Sequence, residues 1–268
     1  MDTDVYTEIK ASIKQRLKID LTNYKDEQMK RRLDSWLVRT HAGNWNEYLN
    51  LLAKDAKELE RFRNYLTINV TEFFRDANRW DTLRRDILPP LFESSPNSKL
   101  AGGLKLWSAG CSIGAEAYTL AMLMAEVSPA KNYSLLATDL DRGALAKARA
   151  GGPYSAEDVR NLDAVQSRKY LTAAAPYYVN ESLKKRIRFE EQDLLADRFE
   201  SGFDLIVCRN VVIYFTAEAK ETLYKKFCAA LRPGGVLFLG GTEIISGPAN
   251  YGFQNFGISF YRRVEKND

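Results

Sequence analysis

Residues 104–141, LKLWSAGCSIGAEAYTLAMLMAEVSPAKNYSLLATDLD, constrain the fold more than any other stretch of the chain. An apolar run at 104–108 meets a loop of small residues, Ala109-Gly110-Cys111-Ser112-Ile113-Gly114. A helical pattern follows through Tyr118, Leu120, Ala121, Met122, Met124 and Ala125, and a second apolar run at 133–138 ends on Asp139. Strand, glycine loop, helix, strand and acid is the layout of a nucleoside-binding βαβ unit. Glycine lets backbone approach a ligand, and an acid at the second strand's tip accepts hydrogen bonds from ribose hydroxyls.

The loop is not a dinucleotide fingerprint. It carries Gly110 and Gly114 but no glycine at position 112, so G-x-G-x-x-G fails. A ligand without a pyrophosphate needs less bare backbone at that helix start, and S-adenosylmethionine is such a ligand. Taken alone, the loop also fits a purely structural βα turn.

A chain of 268 residues holds one large domain or a domain with a smaller companion. With 45% hydrophobic and 28% charged residues it has a soluble, globular profile. The net charge of +4 is too small to demand nucleic acid. Cys111, Cys208 and Cys228 are widely spaced, no C-x-x-C occurs, and His41 is the one histidine, so no metal site or disulfide framework is expected. The polar start MDTDVYTEIK is no signal peptide, and no apolar run approaches the ~20 residues needed to cross a bilayer. A cytoplasmic protein, brought to any membrane by a partner, is the expectation.

Residues 1–76 read as a helical domain, with Gly43 as the one glycine and no proline. In 24–41, Met29, Leu33, Trp36, Leu37 and Thr40 share a face. Another stripe carries Lys25, Arg32 and Arg39 with Arg31 beside them, and residues 10–39 hold nine Lys/Arg against four acids. Such a stripe is either a solvated helix face or a dock for an acidic partner. Residues 47–66 predict one or two further helices. Residues 79–91 predict a linker helix ending near Pro89-Pro90, followed by a polar loop at 93–103, so that 77–103 form the domain boundary.

The remainder, 104–268, alternates helix and strand. Strands are predicted at 104–108, 133–138, 186–191, 203–208, 235–240 and 257–263, the last suited to an antiparallel edge. Helices are predicted at 115–127, 142–150, 217–231 and 156–161. This is an α/β pattern with a mostly parallel sheet. Residues 151–192 are too long for one crossover, and 168–171, 177–179 and 187–189 suit a small antiparallel β insert. Residues 203–215, FDLIVCRNVVIYF, bring a strand to Arg209-Asn210, and a helix closed by Leu231-Arg232-Pro233-Gly234-Gly235 leads into the next strand. Helix, Pro-Gly-Gly and strand in this order recur in S-adenosylmethionine-dependent methyltransferases.

Five segments resemble one family, the chemotaxis receptor glutamate methyltransferases (CheR). They are Asn69-Val70-Thr71-Glu72-Phe73-Phe74-Arg75; Trp107 to Glu116; Ala137-Thr138-Asp139; Cys208-Arg209-Asn210-Val211-Val212-Ile213-Tyr214-Phe215; and Pro233-Gly234-Gly235 through Gly241-Thr242-Glu243. Two segments depart from the pattern: Ala115 and Ala117 replace an acid and a proline, and Gly241-Thr242-Glu243 lacks the histidine that often precedes the acid. The resemblance implies a Rossmann-like class I methyltransferase domain behind a helical N-terminal domain. It implies S-adenosylmethionine as donor and S-adenosylhomocysteine as product, with contacts from Asn69, Thr71, Arg75, Gly110, Glu116, Asp139, Asp193, Leu194, Arg209 and Asn210. Arg75 and Tyr214 are the expected catalytic residues, as cation and O–H donor to the acceptor carboxylate. Arg209 and Asn210 could line the pocket or hold backbone there.

The acceptor would be a glutamate of a chemoreceptor's cytoplasmic helical bundle, docked on Lys25, Arg31, Arg32 and Arg39. A glutamate, with an ordinary pKa of about 4.3, is already anionic at neutral pH and needs no general base. A monomer without nucleic acid is expected. Nucleic acid methylation, small-molecule O-methylation and a non-enzymatic adaptor stay open as alternatives, although Asn210-Val211-Val212 lacks the Pro-Pro-aromatic run common in base N-methylation.

Overall fold

The computed structural model describes residues 2–67, 69–96, 103–127 and 132–264. The chain divides into two compact units. One comprises 1–68 with 214–220, and the other 69–213 with 221–268.

The first unit is helical: α1 (Thr3–Leu17), α2 (Asp26–Leu37), α3 (Trp45–Leu52) and α4 (Ala56–Leu66). Short polar residues start three of them, because their side-chain oxygens accept from otherwise unpaired first-turn amides. Asp2 caps α1, Asn44 caps α3 and Asp55 caps α4. In α1, Tyr6, Ile9, Ile13 and Leu17 are buried at spacings of three and four, one apolar stripe. In α2 the buried residues are Met29, Leu33 and Trp36, while Leu37 and Thr40 of the expected face are only half-buried. Trp36 donates to Tyr48 Oη at 2.6 Å, and Tyr48 donates on to Glu58, so these two buried aromatic side chains have their polar atoms paired. Residues 214–220 join this unit: Tyr24 and Phe215 form an antiparallel bridge, and Lys25 N donates to Tyr214 O at 3.0 Å.

The second unit is built on a seven-stranded sheet. Its strands are β1 (Leu104–Ala109), β2 (Tyr133–Asp139), β3 (Ile187–Glu191), β4 (Phe203–Cys208), β5 (Leu231–Leu239), β6 (Phe253–Asn255) and β7 (Phe260–Arg263), in spatial order β3-β2-β1-β4-β5-β7-β6. The first five are parallel, β7 runs antiparallel to β5, and β6 antiparallel to β7. The run predicted at 257–263 is therefore antiparallel but internal; the short β6 occupies the edge. Every residue of β4 is buried, as expected of a central parallel strand. Between Leu231 and Val236 the pairing with β4 shifts register around Pro233-Gly234. A Cβ on Gly235 would sit 2.9 Å from two carbonyl oxygens, so only glycine lets the strand pass.

Helix α7 (Ala115–Val127) connects β1 to β2 and α8 (Arg142–Ala150) follows β2. Residues 115–124 of α7 are all buried, matching a helix apolar on every side. Helix α11 (Ala217–Ala230) leads to β5.

Four expectations change. The linker is α5 (Ala77–Thr82), one π turn, and α6 (Leu88–Ser94). Pro89 and Pro90 begin α6 rather than ending a helix, because first-turn positions need no amide donor. The polar loop expected at 93–103 loses Glu93 and Ser94 to α6, and its residues 97–102 lie outside the described residues. Residues 156–161 form turns rather than a helix. The antiparallel insert reduces to two isolated bridges, Tyr154 with Tyr177 and Leu171 with Val179. Residues 168–170 belong to α9 (Ala164–Tyr170), started by a capping box between Asp163 and Gln166, and α10 (Glu181–Lys184) follows. Residues 187–189 pair with β2 in the main sheet, where Ile187 and Phe189 pack on its core.

Candidate functional site

The order β3-β2-β1-β4-β5 reverses chain direction between β1 and β4. The crevice beyond the carboxyl ends of the strands at such a point is where open α/β sheets bind ligands. Most of the second unit's expected residues stand there, at the ends of β1, β2 and β4.

Beyond β1, Gly110 takes φ 84°, and a Cβ there would lie 2.6 Å from Val211 Cγ2. The amides of Gly110 and Cys111 both donate to Thr138 O, folding the loop onto the tip of β2. Ser112 N then donates to Asp139 Oδ2 at 2.7 Å, and Asp141 N to Asp139 Oδ1 at 2.9 Å. Asp139 is thus oriented by backbone, while Asp141 caps α8 through Ala144 N. Burial raises the Asp139 carboxyl to about 6, against these amide donors, which lower it. Glu116, in the first turn of α7, is 8% exposed and accepts from Ser108 Oγ at 2.7 Å. Burial raises it to about 7, although the Arg209 charge and the Ser108 hydrogen bond pull the other way.

Asn69 donates to Asp141 Oδ2 at 2.5 Å and accepts from Ser112 Oγ at 2.8 Å, so it braces the glycine loop. Thr71 is half-buried in the same segment. Arg75 donates through Nη1 to Val70 O at 2.8 Å. Its neighbours Phe74 (φ 48°) and Asp76 (φ 56°) are both left-handed. That conformation costs a non-glycine residue about 1–2 kcal/mol, so surrounding contacts must hold it.

Arg209 and Asn210 leave the end of β4. The Arg209 side chain is 2% exposed, its Nη2 pairs with Asp76 Oδ2 at 2.6 Å, and its guanidinium lies over the rings of Trp80 (5.3 Å) and Phe238 (4.9 Å). These contacts are with a carboxylate and two aromatic rings. Asn210 is left-handed (φ 60°), and its Oδ1 is buried with no hydrogen-bond partner among the described residues.

Two residues escaped the sequence reading. Asp76, directly after Arg75, is the ion-pair partner of Arg209. Glu243, 3% exposed, accepts from the amides of Gly240 (2.6 Å), Asn210 (2.8 Å) and Ile213 (3.3 Å), tying the ends of β4 and β5 together. Burial raises its carboxyl. Glu243 stood inside a recognisable segment, and Asp76 one position beyond the end of another.

Asp193 and Leu194 follow β3 at the same end of the sheet, next to Gln192, whose amide donates to Asp139 O at 2.9 Å. Asp193 closes a turn beyond β3 through the amides of Leu195 and Ala196, and Leu194 O receives Lys226 Nζ. No hydrogen bond joins either to the groups above among the described residues. Tyr214 belongs to the helical unit. Lys25 just before α2, Arg31 on it and Arg39 just after it are exposed. Arg32 is half-buried, donates to Thr67 O at 3.2 Å and to Tyr65 O, and stacks 4.3 Å from the Tyr65 ring, so it anchors the end of α4. A cavity of about 420 Å³ lies at the opposite, amino ends of the strands, lined by Lys105, Tyr133, Arg186, Arg188 and Phe203 among others, away from this rim.

A buried carboxylate (Glu116), a half-buried one (Asp139) and an unpartnered amide oxygen at one rim fit a ligand that brings positive charge and several donors. S-adenosylmethionine has a sulfonium, an ammonium and a ribose diol. The fold and rim together define a methyltransferase of that cofactor class.

The comparisons narrow the class. Residues 69–261 match the CheR methyltransferase, SAM binding domain, and residues 4–67 the CheR methyltransferase, all-alpha domain. A chemotaxis protein methyltransferase of Listeria innocua is 44% identical over 93% of this chain and 93% of its own length. That of Borreliella burgdorferi is 34% identical over 87% of this chain and 85% of its own, and that of Escherichia coli 32% over 90% and 84%. The chain belongs to the CheR methyltransferase family and is an S-adenosylmethionine-dependent methyltransferase.

Proposed function

We propose that the protein methylates glutamate side chains on the cytoplasmic helical bundle of chemoreceptors, as a cytoplasmic monomer recruited to receptor arrays by its substrate. The similarity over nearly the whole length to chemotaxis protein methyltransferases carries this reading. Asp139 would take the ribose hydroxyls, Glu116 the ammonium, and Asn210 Oδ1 a further donor; Asn69 and Thr71 would brace the loop, and Asp193 and Leu194 the adenine end. The bound donor supplies an electrophilic methyl: a glutamate oxygen bonds to its carbon as the C–S electron pair returns to sulfur, leaving a methyl ester and the neutral thioether S-adenosylhomocysteine. Since the acceptor is already anionic, the chain's residues have to orient and desolvate it rather than deprotonate it. Arg75 is the cation that would place the carboxylate and Tyr214 the O–H donor. Lys25, Arg31 and Arg39 would meet acidic receptor surface, as would Arg32 in so far as its own contacts free it.

Incubation with methyl-labelled S-adenosylmethionine and receptor-enriched membranes tests the reading. Label should appear on receptors and be released as methanol by mild base. Base-stable label, or label on nucleic acid or small molecules alone, would overturn it.

A further inference from the structure

Arg75 stands between two left-handed residues, Phe74 and Asp76. Each side of this strained turn is fastened to the sheet unit's core. Phe74 N donates to Thr119 Oγ1 of α7 at 3.0 Å, and Phe73 N to Asp158 O at 2.9 Å. Trp80 Nε1 donates to the carbonyl of Arg75 itself at 2.9 Å. On the far side, Asp76 meets Arg209, whose guanidinium lies over the same Trp80 ring and over Phe238 of β5. Arg209 follows directly on the last residue of β4, so the pair links the tips of two central strands to the residue beside Arg75. Asp76 is half-exposed, whereas the side chain it pairs with is almost wholly buried. A surface acid that merely solvates the turn would not need such a partner. The charges facing Arg209 are Glu116, Asp76, Arg75 and Glu243, and Asp76 is the one among them with an ion pair to it.

We propose that Asp76, through its ion pair with Arg209, is a positioning residue that holds Arg75 in place for methyl transfer. The proposal rests on the reading that Arg75 places the acceptor carboxylate. Asp76 touches neither donor nor acceptor; it removes freedom from the turn that aims Arg75.

Glycine adopts the left-handed conformation without strain, so Asp76→Gly removes the tether while sparing the backbone geometry. Its kcat, measured by methyl incorporation at saturating donor, should fall at least about tenfold. Its affinity for S-adenosylhomocysteine, by calorimetry, should stay within about threefold of the parent, a difference under 1 kcal/mol. Asp76→Asn keeps an acceptor for Arg209 and tolerates positive φ, so it should recover most of the lost kcat. Arg209→Lys shortens the reach to Asp76 and loses the planar group that lies over Trp80 and Phe238, so it disturbs the pair from the other side and should also lower kcat, which covers the case of a glycine variant that does not fold. Unchanged kcat in Asp76→Gly, or parallel losses of kcat and affinity, would overturn the proposal. Arg75→Ala separates the two layers. If that variant turns over normally, the reading of Arg75 has failed and the proposal falls with it. If it is slow while Asp76→Gly is normal, the positioning role alone is wrong.

Discussion

The basic face of α2 and the acidic rim of the parallel sheet use charge in opposite ways. Lys25, Arg31 and Arg39 keep their cations in water, where a charge is cheap to hold and acts weakly over distance, with a screening length of about 8 Å at physiological salt. Glu116 is buried and Asp139 half-buried, and burial raises both carboxyls. A charge held there is costly until a positive ligand arrives, and it discriminates strongly when one does. Exposed charge suits encounter with a large partner; buried charge suits selection of a small one.

The largest effect should come from the rim. Asp139→Asn should weaken S-adenosylhomocysteine binding on the order of 100-fold, since charge-assisted hydrogen bonds contribute about 1.5–3 kcal/mol each. Retained affinity by calorimetry would break the contrast at its buried end.

Next in size is a pH effect. Glu116 titrates at about 7 in the free site, and pairing with an ammonium needs the anion. Below that value a proton must leave before the ligand binds, so affinity should fall as pH drops from 8 to 6, by at most about tenfold per unit below 7. Asp139, at about 6, steepens the fall at the acid end. Glu116→Gln should bind more weakly at pH 8 and lose most of this slope.

The exposed end should respond more gently. Charge reversal at Arg31 and Arg39 should raise the KM for receptor several-fold, the more so at low salt, and leave S-adenosylhomocysteine affinity alone. Arg32 sharpens the contrast from inside one helix. Because its guanidinium holds the carbonyls of Tyr65 and Thr67, Arg32→Ala should lower the melting temperature by a few degrees, corresponding to about 1–2 kcal/mol. A salt-dependent KM change without that loss of stability would move Arg32 back among the docking cations.

Arg32 also marks where reading the chain alone stops. It shares the spacing of Lys25 and Arg39, and periodicity says which residues lie on one helical stripe. It does not say that a carbonyl 33 positions on will capture one of them. The parallel strands β1, β2 and β4 were legible because each carries a short apolar run bounded by polar or small residues, β3 (IRFEE) showing only alternation, and the stand of Asp139 follows from the run at 133–138 ending there. The bonds that arrange the rim were not legible. Asp76 and Arg209 are 133 positions apart, and Glu243 and Asn210 are 33 apart. Such pairs form only once the sheet has brought strand tips together. The insert failed for a local reason: 168–171 and 177–179 are too short to fix a strand by themselves, so a capped helix and single bridges took their place, while 187–189 joined the main sheet.

The helical unit borrows residues 214–220 from far along the chain, with Phe215 bridging Tyr24 and Thr216 N donating to Asn23 O. Shuffling genes between relatives at position 68 would hand over a front half without the heptapeptide that completes it. Chimeras that exchange residues 1–67 together with 214–220 should express and melt more like their parents than chimeras cut once.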